Sequence, residues 1–251
     1  EMLSGDWSSD VCSSDLFLGA RGVSTTNFDL SGASVRELNA ALHKLNGSNG
    51  GEPWMVLNPE GAHAVAAGLD APIAVTIDGH VGYYCAAMNK SADVVVNGSA
   101  GVGVAENIMS GSVRIKGDAS QSAGATGKGG LLVIEGSAAA RCGISLKGLD
   151  IVVGGDVGHM SAFMAQAGTL VVLGDAGDAL GDSIYEARLY VRGNVKSLGA
   201  DCIEKPMCEE HIKQVQTLLD KAGFMADPKS FKRYGSARKL YNFHVDNAGA
   251  Y

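Results

Sequence analysis

Hydrophobic and polar positions alternate in a pattern that returns every 19 residues between residues 73 and 204. The residues four and two positions before a recurring glycine, and two positions after it, are apolar, whereas its immediate neighbours are mostly polar. These repeat glycines are Gly79, Gly98, Gly117, Gly136, Gly155, Gly174 and Gly193. Side chains of an extended strand point to alternate faces, so the apolar positions share one face. Each repeat is therefore predicted to be a short strand with an apolar inner face, followed by a glycine corner.

A single strand of this kind cannot bury its apolar face, whereas stacked repeats can. We therefore predict an all-β fold, a right-handed single-stranded β-helix (solenoid) with about seven 19-residue coils, flanked by capping helices. Glycine tolerates positive φ and close backbone approach, so both are expected at the corners.

The flanks are predicted to shield the two open ends of the solenoid, because an exposed strand edge invites aggregation. Residues 17–72 form an N-terminal capping segment with one helix, which a capping box opens at Ser34. Residues 205–251 contain a second helix, beginning near Pro206 and ending at Gly223, and then a basic and aromatic tail.

Residues 1–16 are predicted to stand outside the fold. Their stretch DWSSDVCSSDL repeats a Ser-Ser-Asp unit and has neither helical nor strand periodicity. It resembles the translation of a sequencing-library adapter. We therefore expect an artefact or an unstructured segment, and we leave it out of the fold prediction.

Composition and charge exclude several classes of protein. The formal net charge of −7 argues against nucleic acid or an anionic membrane as a partner. No apolar run is long enough to span a bilayer. The five cysteines include no CxxC pair, so neither a zinc site nor a disulfide framework is indicated, and we expect a cytoplasmic protein. The glycine-rich segments 98–103 and 174–177 match neither GxGxxG nor GxxxxGK[ST].

Few residues are spaced for chemistry. Asp156 and Asp175 occupy the same outward position in adjacent coils, where two carboxylates could perturb each other's pKa, although a solvated, repeat-derived ladder is the favoured interpretation. His80 and His159 lie four coils apart, too far to share a metal. Cys208 falls in the first turn of the second helix with no base expected beside it. We predict no catalytic, cofactor-binding or metal-binding residue in this chain.

The tail is the most asymmetric region. Lys232, Arg233, Arg238 and Lys239 lie close together with aromatic residues among them, in a chain that is acidic as a whole. Because arginine and aromatic residues are favoured at interfaces, docking on a partner is one interpretation. A solvated or self-packed tail is the other.

Several stretches carry a resemblance to a known family. The glycine-rich coils at 98–105 and 174–181, the second of which reads Gly-xx-Gly-xxx-Gly, resemble the carboxy-terminal GXGXG domain of the glutamate synthase large subunit. Four further stretches look closer to the small solenoid subunit of N-methylglutamate synthase: SVRELNAALHKLN, NPEGAHAVAAGL, GDSIYEARLYVRGNVKSLGADCIEK and KLYNFHVDNAGAY. The resemblance covers residues 17–251. The solenoid component of formylmethanofuran dehydrogenase is a more distant member of the same coil family.

The resemblance implies a division of labour. Catalysis belongs to a glutaminase-like amidotransferase subunit and to a synthase subunit that binds FMN and an iron–sulfur cluster, and the solenoid is the scaffold that packs them together. The implied reaction converts glutamate and methylamine to N-methyl-L-glutamate and ammonia. Two alternatives stay open: a component of a formylmethanofuran dehydrogenase complex, and an independent solenoid enzyme.

Overall fold

The computed structural model describes residues 24–239. Its elements in chain order are β1 (Thr26–Asp29), α1 (Val35–His43), β2 (Trp54–Leu57), β3 (Ala74–Asp78), β4 (Asp93–Val96), β5 (Ser112–Ile115), β6 (Leu131–Ile134), β7 (Lys147–Val153), β8 (Ala167–Val172), β9 (Arg188–Val191), β10 (Cys202–Lys205), α2 (Glu209–Ala222), a 3₁₀ helix (Pro228–Ser230) and β11 (Lys232–Ser236).

All eleven strands belong to one sheet, in the order β1-β2-β3-β4-β5-β6-β7-β8-β9-β11-β10. Strands β1 to β9 pair in parallel, and from β3 onward the register advances by one repeat per coil, as in Val75↔Val94. A second ladder of isolated bridges runs two residues past the repeat glycines, from Val81 to Val195. The predicted β-solenoid is confirmed, and the two residues that precede each corner on the inner face are buried in one continuous core.

The sheet begins earlier than the predicted start at residue 73. Strand β2 pairs in parallel with β3, and β1 pairs in parallel with β2. The connection from β1 to β2 carries α1. The N-terminal segment therefore continues the stack, and the 19-residue period does not reveal it because its connections differ in length from those of the repeats.

Helix α1 covers the N-terminal end of the stack. Its capping box forms as predicted, with Ser34 as N-cap, and its apolar residues Leu38 and Leu42 are fully buried. Asn39 donates from Nδ2 to the carbonyl of Ala64 (2.8 Å), and its Oδ1 accepts from the backbone N–H of Ala66 (3.0 Å). This side chain therefore takes the place that the backbone of a preceding coil would occupy in the stack.

Helix α2 covers a different surface from the expected one. Gly223 ends it in the left-handed conformation, as predicted, but α2 packs along the outside of the sheet instead of across its end. Its contact surface lies within the outer column, which we define as the residues three positions before each repeat glycine: Thr76, Val95, Arg114, Val133, Val152, Val171 and Tyr190. The last four of these are buried in a second apolar cluster with Val215, Leu218 and Leu219 of α2.

The C-terminal end of the stack is covered by the tail. Strand β11 returns antiparallel to β9 and also pairs antiparallel with β10, so it lies between them. The free edge of the last parallel strand is thereby occupied within the chain. Among the described residues, no helix is long and apolar enough to cross a bilayer.

Candidate functional site

The outward acidic residues belong to a chain of hydrogen bonds that runs along the stack. Each residue directly after a repeat glycine, except the last, accepts with its side chain from the backbone N–H of the equivalent residue in the next coil. We call this set the corner ladder: His80, Ser99, Asp118, Ser137, Asp156, Asp175 and Asn194. All six links measure 2.7–3.1 Å. The column thus satisfies the backbone N–H at six of the seven corners.

This ladder explains the one candidate pair of acids. Asp156 Oδ1 accepts from the N–H of Asp175 at 2.7 Å, and Asp175 Oδ1 accepts from the N–H of Asn194 at 2.7 Å. Both carboxylates border an open groove of about 460 Å³ that Lys196 also lines. Lys196 is paired with Asp178 at 2.7 Å, and its hydrogen bond to that carboxylate holds the pKa of Asp178 below its usual value. The favoured interpretation of the acids, a repeat-derived ladder, agrees with this geometry.

The repeat glycines serve close approach of successive coils. From Gly98 onward each one would place a Cβ within 3.0 Å of the backbone carbonyl of the preceding repeat glycine, and its own N–H donates to that same carbonyl from Gly117 onward. Among the repeat glycines, positive φ is required only at Gly79, where φ is 141°. The left-handed conformation falls instead on the connections, at alternating residues that are often not glycine, such as Tyr84, Ala86 and Met88.

The glycine-rich segments do not form a phosphate cradle. The N–H of Gly101 donates to the carbonyl of Val81 (3.0 Å), and the N–H of Gly103 donates to the carbonyl of Gln121 (2.9 Å). Gly177 donates to Val157 in the same way (2.8 Å). These donors are occupied by neighbouring coils, so they are not available to an anion.

The four basic residues predicted to dock on a partner all lie in or beside β11. Lys232 lies 3.9 Å from Glu204, and Arg238 forms an ion pair with Glu186 at 2.7 Å. Arg233 donates from a terminal nitrogen to the carbonyl of Pro206 (3.3 Å), and the backbone N–H of Lys239 donates to Asp201 (2.9 Å). This part of the tail packs on its own chain, while its docking role stays a prediction; residues 240–251 lie outside the described part.

Three of the cysteines are buried and poorly suited to react. Burial raises the pKa of the thiols of Cys85, Cys142 and Cys202 to about 12. Cys208 is exposed and is the N-cap of α2, and its Sγ lies 3.0 Å from Nδ1 of His211. The expectation that no base stands beside Cys208 was wrong. The signal was available in the spacing, because residues three apart meet on the first turn of a helix.

The described residues include no cluster of metal-ligating side chains. In the range 24–239 no three His, Cys, Asp or Glu side chains converge in a way that could hold a metal ion. His80 Nδ1 accepts from the N–H of Ser99, which gives that histidine a structural role in the corner ladder. An iron–sulfur cluster needs several thiolates together. Cys85, Cys142 and Cys202 are each buried in the apolar core instead, so this set does not fit such a cluster.

One exposed apolar surface went unnoticed in the sequence. Tyr83, Tyr84 and Met88 lie on one connection and are each about half exposed, at 48, 48 and 50%. Met109, on the next coil, is 46% exposed. We call these four residues the Tyr–Met patch. The ring of Tyr83 stacks on His63 with centroids 4.5 Å apart, so one member of the patch is held in place.

Comparison with known proteins gives one clear relationship. The chain is 65% identical over 224 residues to Protein GlxC of Rhizobium meliloti (strain 1021), an alignment that spans 89% of this chain and 98% of the relative. No family model and no solved structure matches the chain. The match supports the glutamate-synthase-like resemblance. The chain belongs to the same family as Protein GlxC.

Proposed function

We propose that this protein is a non-catalytic scaffold subunit of a glutamate-synthase-like complex, and specifically of an N-methyl-L-glutamate synthase. The observation that carries the proposal is that the outward polar side chains after the repeat glycines accept hydrogen bonds from the backbone of the next coil. The corner ladder commits its side chains to links between coils, so they hold the stack together instead of converging on a substrate. The relationship to Protein GlxC supports the family half of the proposal, and the reaction rests on the resemblance described above.

The partners in this proposal are a glutaminase-like amidotransferase subunit and a synthase subunit that carries FMN and an iron–sulfur cluster. A rigid stack suits the role of holding two such subunits, because its coils are tied together over the whole length of one sheet. The Tyr–Met patch supports docking at its N-terminal half, since tyrosine and methionine are enriched in protein interfaces.

The test is affinity purification of the tagged chain from its native host, with mass spectrometry of the proteins that co-elute. Recovery of a glutaminase-like protein together with an FMN-containing synthase is the expected result. Recovery of a molybdopterin enzyme and an amidohydrolase would support the formylmethanofuran dehydrogenase alternative instead. A chain that elutes alone would contradict both subunit assignments.

Two sets of substitutions locate the docking surface. Replacing Tyr84 and Met88 with serine should lower the yield of partner, while Met225→Ser is the matched control, because Met225 is 99% exposed on the connection after α2. Serine at all four basic tail positions tests the other predicted surface: Lys232, Arg233, Arg238 and Lys239. Thermal unfolding of each variant separates lost docking from lost folding. Unchanged co-purification by a folded variant rules out the surface that it alters.

The independent-enzyme alternative has its own test. Asp156→Asn and Asp175→Asn keep an oxygen that can accept the backbone hydrogen bonds of the corner ladder and remove the negative charges. The scaffold proposal expects a complex of full activity containing these variants. Loss of activity in an intact complex would assign chemistry to the acids.

A further inference from the structure

Cys208 differs from the three other described cysteines in both exposure and surroundings. Cys85, Cys142 and Cys202 are buried in the apolar core, whereas the thiol of Cys208 is exposed at the start of the 14-residue helix α2. Its Sγ lies 3.0 Å from Nδ1 of His211, within hydrogen-bond distance for sulfur. An imidazole next to an exposed thiol can accept the proton of that thiol and so make the sulfur a better nucleophile.

The hydrogen bonds around His211 show which of its two ring nitrogens carries the proton. The backbone N–H of Cys208 points at Nδ1 of His211, at 3.2 Å. An amide N–H can only donate, so Nδ1 carries a lone pair and the ring proton sits on Nε2. The thiol therefore donates its proton to Nδ1. In this arrangement the imidazole is a neutral base whose Nδ1 electron pair faces the sulfur and is shared between the amide N–H and the thiol.

The groups around the imidazole keep it neutral. His211 is 8% exposed, and its burial, together with the guanidinium groups of Arg233 and Arg188, lowers its pKa below 6.5. Glu210 acts weakly in the opposite direction, and the ring of Tyr190 lies 6.3 Å away between centroids.

We propose that Cys208 is a modification site, at which the thiol exchanges with a low-molecular-weight disulfide while His211 accepts its proton. The sulfur of Cys208 forms a bond to one sulfur of the disulfide, and the disulfide bond breaks. The proton held on Nδ1 passes to the departing thiolate, which leaves as a thiol. Cys208 ends oxidised in a mixed disulfide and the departing sulfur ends reduced, so the exchange needs no further oxidant.

The experiment follows modification by oxidised glutathione, with the modified residue identified by mass spectrometry of peptides. A Cys12→Ser background removes the cysteine that lies outside the described residues. Cys208 should react about tenfold or more faster in the folded chain than in the urea-unfolded chain at the same pH, because a positioned base assists transfer of its proton. Cys85 and Cys142 should stay unmodified while the chain is folded.

Two measurements can overturn this assignment. The variant His211→Gln should slow the reaction about tenfold, since glutamine cannot take a proton. The rate in the unsubstituted protein should persist down to the pKa of His211, whereas an unassisted thiol loses its rate below about 8.5. A folded Cys208 that reacts no faster than an unfolded one, a His211→Gln variant of unchanged rate, or the pH profile of an ordinary thiol would each refute the proposal.

Discussion

The close stacking of the repeat glycines leads to a sharp prediction at Gly174. A Cβ at this position would lie 2.6 Å from the carbonyl oxygen of Gly155, 2.7 Å from its carbonyl carbon and 2.1 Å from Oδ1 of Asp156. The N–H of Gly174 also donates to that same carbonyl at 3.0 Å. The two coils must move apart to admit the methyl group, and the hydrogen bond between the corners lengthens as they do.

The expected cost of Gly174→Ala combines two effects. Overpacking in a rigid interior costs about 1–3 kcal/mol. Displacing the carboxylate of Asp156 from the N–H of Asp175 removes a hydrogen bond to a charged group, worth about 1.5–3 kcal/mol. We expect a total loss of about 3 kcal/mol or more, a large share of the roughly 5–15 kcal/mol by which folded proteins are stable.

Urea unfolding followed by far-ultraviolet circular dichroism measures this loss. Gly32→Ala is the matched control, because Gly32 is exposed and a Cβ there meets nothing within 4 Å. That variant should change the free energy of unfolding by less than about 0.5 kcal/mol. If Gly174→Ala were as mild as Gly32→Ala, the close approach of the coils would not be what requires glycine.

A second background separates the backbone from the side chain. In an Asp156→Ala protein the carboxylate is already gone, but the contact of the new methyl group with the backbone of Gly155 remains. Gly174→Ala should therefore stay destabilising there. A cost that disappears in this background would mean that the carboxylate alone resisted the methyl group, and the argument from backbone stacking would fail.

Further changes test other parts of the fold. Val171→Asp should lower the free energy of unfolding by about 3 kcal/mol or more, because it buries an unpaired charge under α2. Thr76→Asp, in the same outer column but outside the apolar cluster under α2, should lower it by less than about 1 kcal/mol. Equal urea midpoints for the two variants would contradict the assigned contact between Val171 and α2. Arg141→Gly should raise the thermal midpoint by relieving an exposed left-handed residue (φ 61°), a gain of roughly 0.5–1 kcal/mol, and a lowered midpoint would refute it. Because the pKa of His211 is lowered in the folded state, its contribution is complete above about 6.5 and is lost as pH falls towards the folded pKa. His211→Gln should flatten the fall in urea midpoint between about pH 7 and 5.5, and an unchanged slope would show that other groups cause it.

Much of this fold is present in the sequence because the repeat is local. Every coil carries the same alternation around its glycine, so the inner face and the register follow from period two and from the 19-residue spacing. The helix that begins after Ser34 was also predictable, since its capping box and its buried residues lie within one short segment. The N-terminal strands β1 and β2 were missed because their connections break the period.

The outer face of the sheet was decided by tertiary contacts. Val133, Val152 and Val171 are apolar in the sequence, yet their alternation places them outside the solenoid, and only the return of α2 buries them. The position of β11 between β9 and β10 is likewise set by pairing between distant segments. Such contacts depend on the path of the chain after the last coil, and a local sequence pattern does not predict that path.

The same division holds for the candidate sites. The sequence by itself determined the columns of residues along the stack, because each column is one position of a strict repeat. Tertiary structure alone decided what those columns do: the carboxylates of Asp156 and Asp175 accept backbone hydrogen bonds across coils. It also decided that His211 is buried, so that burial and the charges of Arg233 and Arg188 lower its pKa beside the thiol of Cys208. Hydrogen bonds and burial depend on distances in space, and spacing along the chain sets these only within a single helix turn or strand.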